Sequence, residues 1–452
     1  MSITIHSLQQ GLHQIRLPEA AQALTGARQT TSHALAGNAD TFASPLQAVK
    51  TQFKLLKPSK EANGAKIIVS SRLDAKGAAR KLRQANHVVA GDLYGNPVKL
   101  LDTLIASGHV TISAENAFAF KQALTNVERL LKKNCDVSRH EAKRELKKIQ
   151  QIIDDEMKWA NPERRLTLAG DTIGDKAAMA DRPIVSLCNR FSNHIDVVAS
   201  NHDFDVLRLL ADRQFTARKA LKSEGPGKNS LAQSLHLTPK EDIPRWQRQY
   251  ARYLSNQKLI HLTPDGRGGH TLITHAPITS DHMRDLVRFM RQGGYWQGRH
   301  TDLTPQTLPE FAKAANALYQ DFTRYRLKDV FSRKEPPLSA ERIAFFESRL
   351  PSRFLEKSRT LGSLDDANAT LGNAFSQFLT NHGKTGFLTL RQSNAKASAA
   401  PLAHAGVSGH VFGHVHEALA SVGASQTGPF TRVCLDNGSG LDPAKAIALW
   451  VQ

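Results

Sequence analysis

Cysteine is scarce. Only Cys135, Cys188 and Cys434 occur in 452 residues, far apart and odd in number. That excludes a disulfide framework and a zinc knuckle, and it fits a reducing compartment. Long apolar runs are missing as well: no stretch approaches the roughly 20 residues needed to span a bilayer. The opening segment MSITIHSLQQGLHQIRLPEA holds no long apolar core, so a conventional secretory signal is not expected. Aromatic residues make up 6%, which is thin for base stacking. The chain has no RNP-like, zinc-finger or aromatic-interleaved basic motif, and no solenoid repeat.

Acidic residues are outnumbered, 41 against 60 Lys and Arg, for a net charge of +19. A balance this basic points to an anionic partner: phosphate groups, nucleic acid or an acidic membrane face. A merely solubilising surface explains it equally well. Forty per cent hydrophobic residues suffice for a sizeable core. The length is too great for one ordinary domain and short for three.

Residues 1–60 are rich in Ala, Gln, Ser and Thr and are expected to be a flexible leader, of the kind found on proteins exported by dedicated secretion machines. Residues 61–452 alternate short apolar runs with helical patterns. Strands are predicted at 66–70, 87–90, 166–169, 195–199, 271–274, 411–412, 432–435 and 446–451. Short continuous runs suit strands buried on both faces, and helices between them favour a layered α/β fold. Two helical insertions interrupt the pattern, at about 113–158 and 280–400. In the first, Phe120, Leu124, Val127 and Leu131 form one apolar stripe, and Ala142, Leu146, Ile149 and Ile153 a second. Ser138 and Glu141 fit a capping box at the start of the second helix. Its other face carries Lys143, Arg144, Lys147 and Lys148, as a solvated helix face does.

The chemistry lies in five blocks: HVVAGDLYGN with Asp92; LTLAGDTIGDK with Asp171 and Asp175; VVASNHD with Asn201, His202 and Asp203; TLITHAP with His275; and VFGHVHE with His414 and His416. In each, an apolar strand ends and small residues then deliver an Asp, Asn or His. In an α/β sheet, ligand-binding groups gather beyond the carboxyl ends of strands, so five strand ends can converge on one point. Carboxylate, amide and imidazole donors suit Mn, Fe or Zn better than Ca or Cu(I). Gly91, Gly170 and Gly413 allow sharp turns beside them. One such block alone is weak evidence, since GD pairs are common in turns. All five in this order are hard to produce by chance. His87, His404, His410, Trp450 and the pair Tyr295–Trp296 have a simpler reading as polar or packing residues; His410 shares a strand with His414 and is a candidate to stand behind a ligand.

The blocks resemble the calcineurin-like metallophosphoesterases, whose pattern is GDxH, GDxxxDR or GDxxDR, GNH(D/E), a separate His, then GHxH. The tails FGHVHE and VCLDNGSG look most like the phosphoprotein phosphatase branch and its bacterial relatives, effector phosphatases delivered into host cells included. The resemblance implies a four-layer α/β/β/α sandwich, two divalent metal ions (Mn first, Fe or Zn next) and a phosphomonoesterase acting on phosphoproteins. A hydroxide shared by the metals would attack phosphorus in line. By motif position, Asp171 bridges both metals, Asp92 and His416 hold the first, and Asn201, His275 and His414 hold the second. His202, oriented by Asp175, protonates the leaving oxygen, and Lys176 contacts the phosphate. The location implied is cytoplasmic, or a host cell after export.

Three departures stand out. Tyr94 occupies the His position of GDxH, so the first metal lacks a usual ligand. Either that metal is weakly held or the Tyr94 phenolate ligates it. Lys176 replaces Arg and lacks the bidentate fork, unless Arg182 assists. Ser200 replaces the Gly of GNHD, with little consequence expected. Two other functions stay open: a phosphodiesterase or nuclease on the same scaffold, favoured by the charge, and a catalytically dead binding protein.

Overall fold

In the computed structural model the described residues lie between 51 and 451, interrupted at 63–64, 134–135, 174–180, 212–239, 266–267, 332–337, 359, 362–363, 365–368, 391–401, 415–419, 426–427 and 437–446. Two mixed sheets form the centre of an α/β fold. The first has the order β2-β1-β13-β3-β6-β7. Its strands are β1 (Gln52–Ala62), β2 (Ala65–Asp74), β3 (His87–Ala90), β6 (Arg165–Leu168), β7 (Ile195–Val197) and β13 (Ile447–Val451). The second has the order β11-β12-β10-β9-β8, built from β8 (His261–Pro264), β9 (His270–Ile273), β10 (Val407–Phe412), β11 (Ala420–Ser425) and β12 (Gly428–Cys434). A two-stranded ribbon joins β4 (Val110–Thr111) to β5 (Lys158–Trp159).

Alternation along each strand decides which layer a side chain joins, because successive residues point to opposite faces. On β3, Val88 and Ala90 enter the large core with the helices. Val89 between them meets Trp450 and Ala448 of β13, Ile273 of β9 and Val411 of β10. That second apolar cluster draws on both sheets, so they face each other across it. The inner strands are parallel: β3 with β6, β6 with β7, β9 with β10 and β10 with β12. Their carboxyl ends therefore lie together.

Helices follow the strands. They include α1 (Ala75–Leu82), α2 (Pro97–Ala106), α3 (Ala114–Lys133), α4 (Asp136–Gln151), α5 (Asp181–Arg190), α6 (Asn201–Ala211) and α7 (Ile243–Ser255). Beyond β9 come α8 (Ser280–Gln292), α9 (Leu308–Arg326), α10 (Ala340–Glu347), α11 (Ser352–Lys357) and α12 (Leu371–Lys384). Helices α3 and α4 form the first insertion. Phe120, Leu124, Val127, Ala142, Leu146, Ile149 and Ile153 all sink into the main core, as their 3-and-4 spacing requires. The second insertion is equally embedded: Phe289, Phe322, Phe375 and Phe378 pack ring against ring.

Two expectations need correction. Strand β1 starts at Gln52 and pairs on both sides, with β13 and β2, so the fold begins inside the segment expected to be leader; residues 1–50 lie outside the described residues. The capping box expected at Ser138 is not a helix start. Helix α4 already runs from Asp136, and Ser138 is buried within it.

Candidate metal centre

Each site residue sits just past a strand. Asp92 follows β3, Asp171 follows β6, Asn201 and His202 open α6 after β7, His275 follows β9, and His414 follows β10. Because the inner strands run the same way, these positions meet at one edge of the two sheets. The turns that bring them there are unusual. Tyr94, Asp171 and His414 have φ of 49°, 41° and 69°, in the left-handed region that non-glycine residues seldom occupy. Strain of this kind persists only where the surroundings over-determine it, and it gathers at functional sites.

The surroundings are visible. The Tyr94 N–H donates to the Asp171 carbonyl at 2.8 Å and the Gly95 N–H to that of Thr172 at 3.1 Å, locking the first block to the second. Asn96 then caps α2, accepting from the Lys99 N–H at 3.1 Å. Gly170 has φ of 101°, and a Cβ there would strike the His275 ring. A Cβ on Gly413 would strike the Asp92 carboxylate. Glycine at these two positions is what lets ligand residues close up.

Asp171, His275 and His414 offer ligand atoms that all lie within 4.8 Å of one another. The rings of His275 and His414 meet edge to face at 4.9 Å. Their orientation is fixed from behind. His275 Nδ1 donates to the Ala169 carbonyl at 3.2 Å, and His414 Nε2 donates to the Thr389 carbonyl at 3.3 Å. That leaves Nε2 of His275 and Nδ1 of His414 as lone pairs, the arrangement found behind metal-bound imidazoles. Burial lowers the His275 pKa to about 3 and that of His414 to about 4, so both rings are neutral and ready to ligate at pH 7. His410 stands one layer back, with Nε2 2.7 Å from the Thr274 hydroxyl. Thr389 belongs to the second insertion, so that insertion contributes directly to the site.

The donor set is short of protons. His275 Nε2 faces the Asn201 amide oxygen at 2.8 Å and Asp171 Oδ1 at 3.4 Å. Three acceptors thus converge. Buried Asp171 Oδ1 and Asp92 Oδ1 accept no hydrogen bond, an expensive state for a carboxylate unless a cation completes it. The residues present therefore fit a divalent metal, and their mixed N and O chemistry suits Mn, Fe or Zn.

His202 is half-buried, with Nε2 3.6 Å from Asp171 Oδ2. The box that holds it opens α6. Ser200 Oγ accepts from the Asp203 N–H at 3.2 Å and donates to Asp203 Oδ2 at 2.7 Å, while the Ser200 N–H donates to the same oxygen at 3.1 Å. The Tyr253 hydroxyl donates to Asp203 Oδ1 at 3.1 Å. Serine in place of glycine therefore supplies two hydrogen bonds to Asp203 that a glycine cannot make.

Tyr94 is buried. Burial, and then the charges of Asp92, Asp171 and Asp436, push its phenol well above the usual range. The phenol donates to Asp436, which also favours its protonated form. Asp436 is the residue that motif reading missed. It is buried just past β12, in the same strand-then-carboxylate design as Asp92.

Arg182 has a different neighbour from the one expected. Its guanidinium lies 3.5 Å over the Trp246 ring, in a cavity of about 550 Å³ that Lys143, Lys147 and Arg245 also line. Asp175, Lys176 and His416 lie outside the described residues.

No protein-family model matches this chain, and no curated protein matches it. Among solved structures, it is similar to the phosphatase domain of the Legionella effector WipB, with a TM-score of 0.45 and 18% identity, over 54% of this chain and 82% of that one.

Proposed function

We propose that this chain is a calcineurin-like metallophosphoesterase, a four-layer α/β/β/α sandwich that hydrolyses phosphomonoesters on proteins. The observation that carries the proposal is the convergence of His275 and His414 with buried carboxylate oxygens of Asp171 and Asp92 that accept no hydrogen bond, at one sheet edge. Asp92, Asp171, Asn201, His275, His414 and His416 would hold two divalent cations, Mn foremost. Bound there, such cations activate water and offset the charge of a phosphoryl group. The chain's own groups do the rest. Asp171 lies between the imidazoles and the Asp92 side of the site, the place for a carboxylate serving both cations. His202, partly open to solvent beside Asp171, carries a proton toward a leaving oxygen, with Asp175 as its orienting carboxylate. Lys176 offsets the charge of the bound phosphate.

Substrate competition tests this function. Metal-loaded protein should hydrolyse p-nitrophenyl phosphate and phosphopeptides in preference to bis-p-nitrophenyl phosphate. Preferential cleavage of the diester, or of single-stranded nucleic acid with steep salt dependence, would transfer the site to a nuclease.

A further inference from the structure

Three buried carboxylates meet on the side of the site away from the two imidazoles. Asp92 is 2%, Asp171 2% and Asp436 1% exposed. Strand pairing accounts for the meeting. Cys434 of β12 pairs with Phe412 of β10, and the Leu435 N–H donates to the Phe412 carbonyl at 2.7 Å. Asp436 thus emerges level with Gly413 and His414. From the other sheet, Gly91 presses directly on Leu435, with no room for a Cβ, which carries Asp92 alongside. The Asp436 side chain lies within hydrogen-bond reach of those of Asp92 and Tyr94. The charges that Asp92 feels most are the carboxylates of Asp436 and Asp171. Three carboxylates gathered in a dry pocket repel one another unless a cation lies among them. Asp92 Oδ1 and Asp171 Oδ1, both without a hydrogen-bond donor, mark where that cation would sit.

We propose that Asp436 is a metal ligand of this subsite, together with Asp92 and Asp171, filling the coordination position that a tyrosine at residue 94 leaves without an imidazole. Tyr94 is then a positioning residue, whose hydroxyl orients the Asp436 carboxylate. Three carboxylates suit a hard cation such as Mn²⁺ or Mg²⁺, whereas the imidazoles of the His275–His414 subsite suit Zn²⁺ or Fe²⁺ as well as Mn²⁺. The proposal rests on the metal-dependent function above and adds a ligand to it.

Calorimetric titration of the metal-free full chain with Mn²⁺ alone, checked by metal analysis, tests the assignment. The wild-type chain should take up two Mn²⁺. Asp436→Asn and Asp436→Ser should take up one, with the second weakened by about 100-fold or more; Tyr94→Phe should keep both and lose about tenfold at one, the size of effect typical of a group that orients a ligand. Without metal, both Asp436 variants should melt at or above the wild-type temperature, because each removes one of three carboxyl groups crowded together in a dry pocket. A purely structural Asp436 would lower it. A wild-type chain that binds no metal overturns the metal-dependent function itself. Two equally tight Mn²⁺ in Asp436→Asn, a single Mn²⁺ in the wild type, or metal-free variants that fail to fold overturn the assignment of Asp436.

Discussion

The His414 N–H donates to Asp92 Oδ2 at 2.9 Å, across 322 residues of chain. This bond ties the end of β10 to the end of β3, and so joins the two sheets at the edge that carries the candidate metal centre. The left-handed backbone of His414, φ 69°, aims its N–H at the carboxylate and frees its ring for the pocket. One strained residue thereby fixes the positions of two proposed ligands, the preorganisation that binding and catalysis both reward.

Gly413 is the narrowest point of that junction. Gly413→Ala would place a methyl group on Asp92. It should cost about 1–3 kcal/mol in urea denaturation and weaken Mn²⁺ binding by at least about tenfold. Gly268→Ala is the control. It has a strained φ of 84° but open space around it, and it should leave Mn²⁺ affinity where it is. Equal Mn²⁺ affinity in the two variants would refute the role given to Gly413.

Ser200→Gly restores the residue usual in the related motif, yet it should destabilise this chain. It removes the hydroxyl that both accepts from the Asp203 N–H and donates to the Asp203 carboxylate. The expected loss is about 1 kcal/mol. Urea denaturation of the metal-free protein measures it, and a neutral or stabilising change contradicts the box.

Acid sensitivity should come from a second polar cluster that lies between the two sheets, at the start of β3. His87 lies between the Thr167 and Thr263 hydroxyls at 2.8 and 3.1 Å, its ring 5.3 Å from that of His261. Burial, and then for His87 the neighbouring His261, lower these groups to about 3 and about 4. An unfolded histidine titrates near 6.5, so between those values the unfolded chain binds more protons than the native one. Stability must then fall as pH drops below 6.5, by about 1.4 kcal/mol per pH unit for each histidine kept neutral. His87→Gln should flatten that acid limb between pH 6 and 4, taken as rough bounds from the same titration range. An unchanged limb would show that His87 titrates normally.

Much of the site was legible because buried parallel strands read as short apolar runs, and the residue just past each run is a ligand candidate. Strand β3 ends at the predicted residue, and Asp92, Asp171, His275 and His414 stand where such ends should deliver them. Asp436 obeys the same rule after β12 and lies in the VCLDNGSG tail, but the resemblance gives that Asp no ligand role, and a lone Asp after a strand is common. Strand β1 escaped because its Lys and Pro residues, in QFKLLKPSKEA, blur the alternation that buries Phe53 and Leu55. Arg182 is named as an arginine that could assist Lys176, and helix α5 sets its guanidinium over Trp246. Ser138 looked like a cap because serine before an apolar stripe is a start signal, but helix α4 begins earlier. Local patterns specify strand ends well; which helix face meets which neighbour is settled by packing far along the chain.

The most direct measurement is p-nitrophenyl phosphate hydrolysis against equivalents of Mn²⁺ added to metal-stripped protein, with Asp171→Asn beside it. Activity should rise with metal and level off at two equivalents, while Asp171→Asn stays flat. Hydrolysis that survives complete metal removal, or folded wild-type protein inactive with Mn²⁺, Fe²⁺, Zn²⁺ and Mg²⁺ alike, would contradict the metal-dependent phosphoesterase.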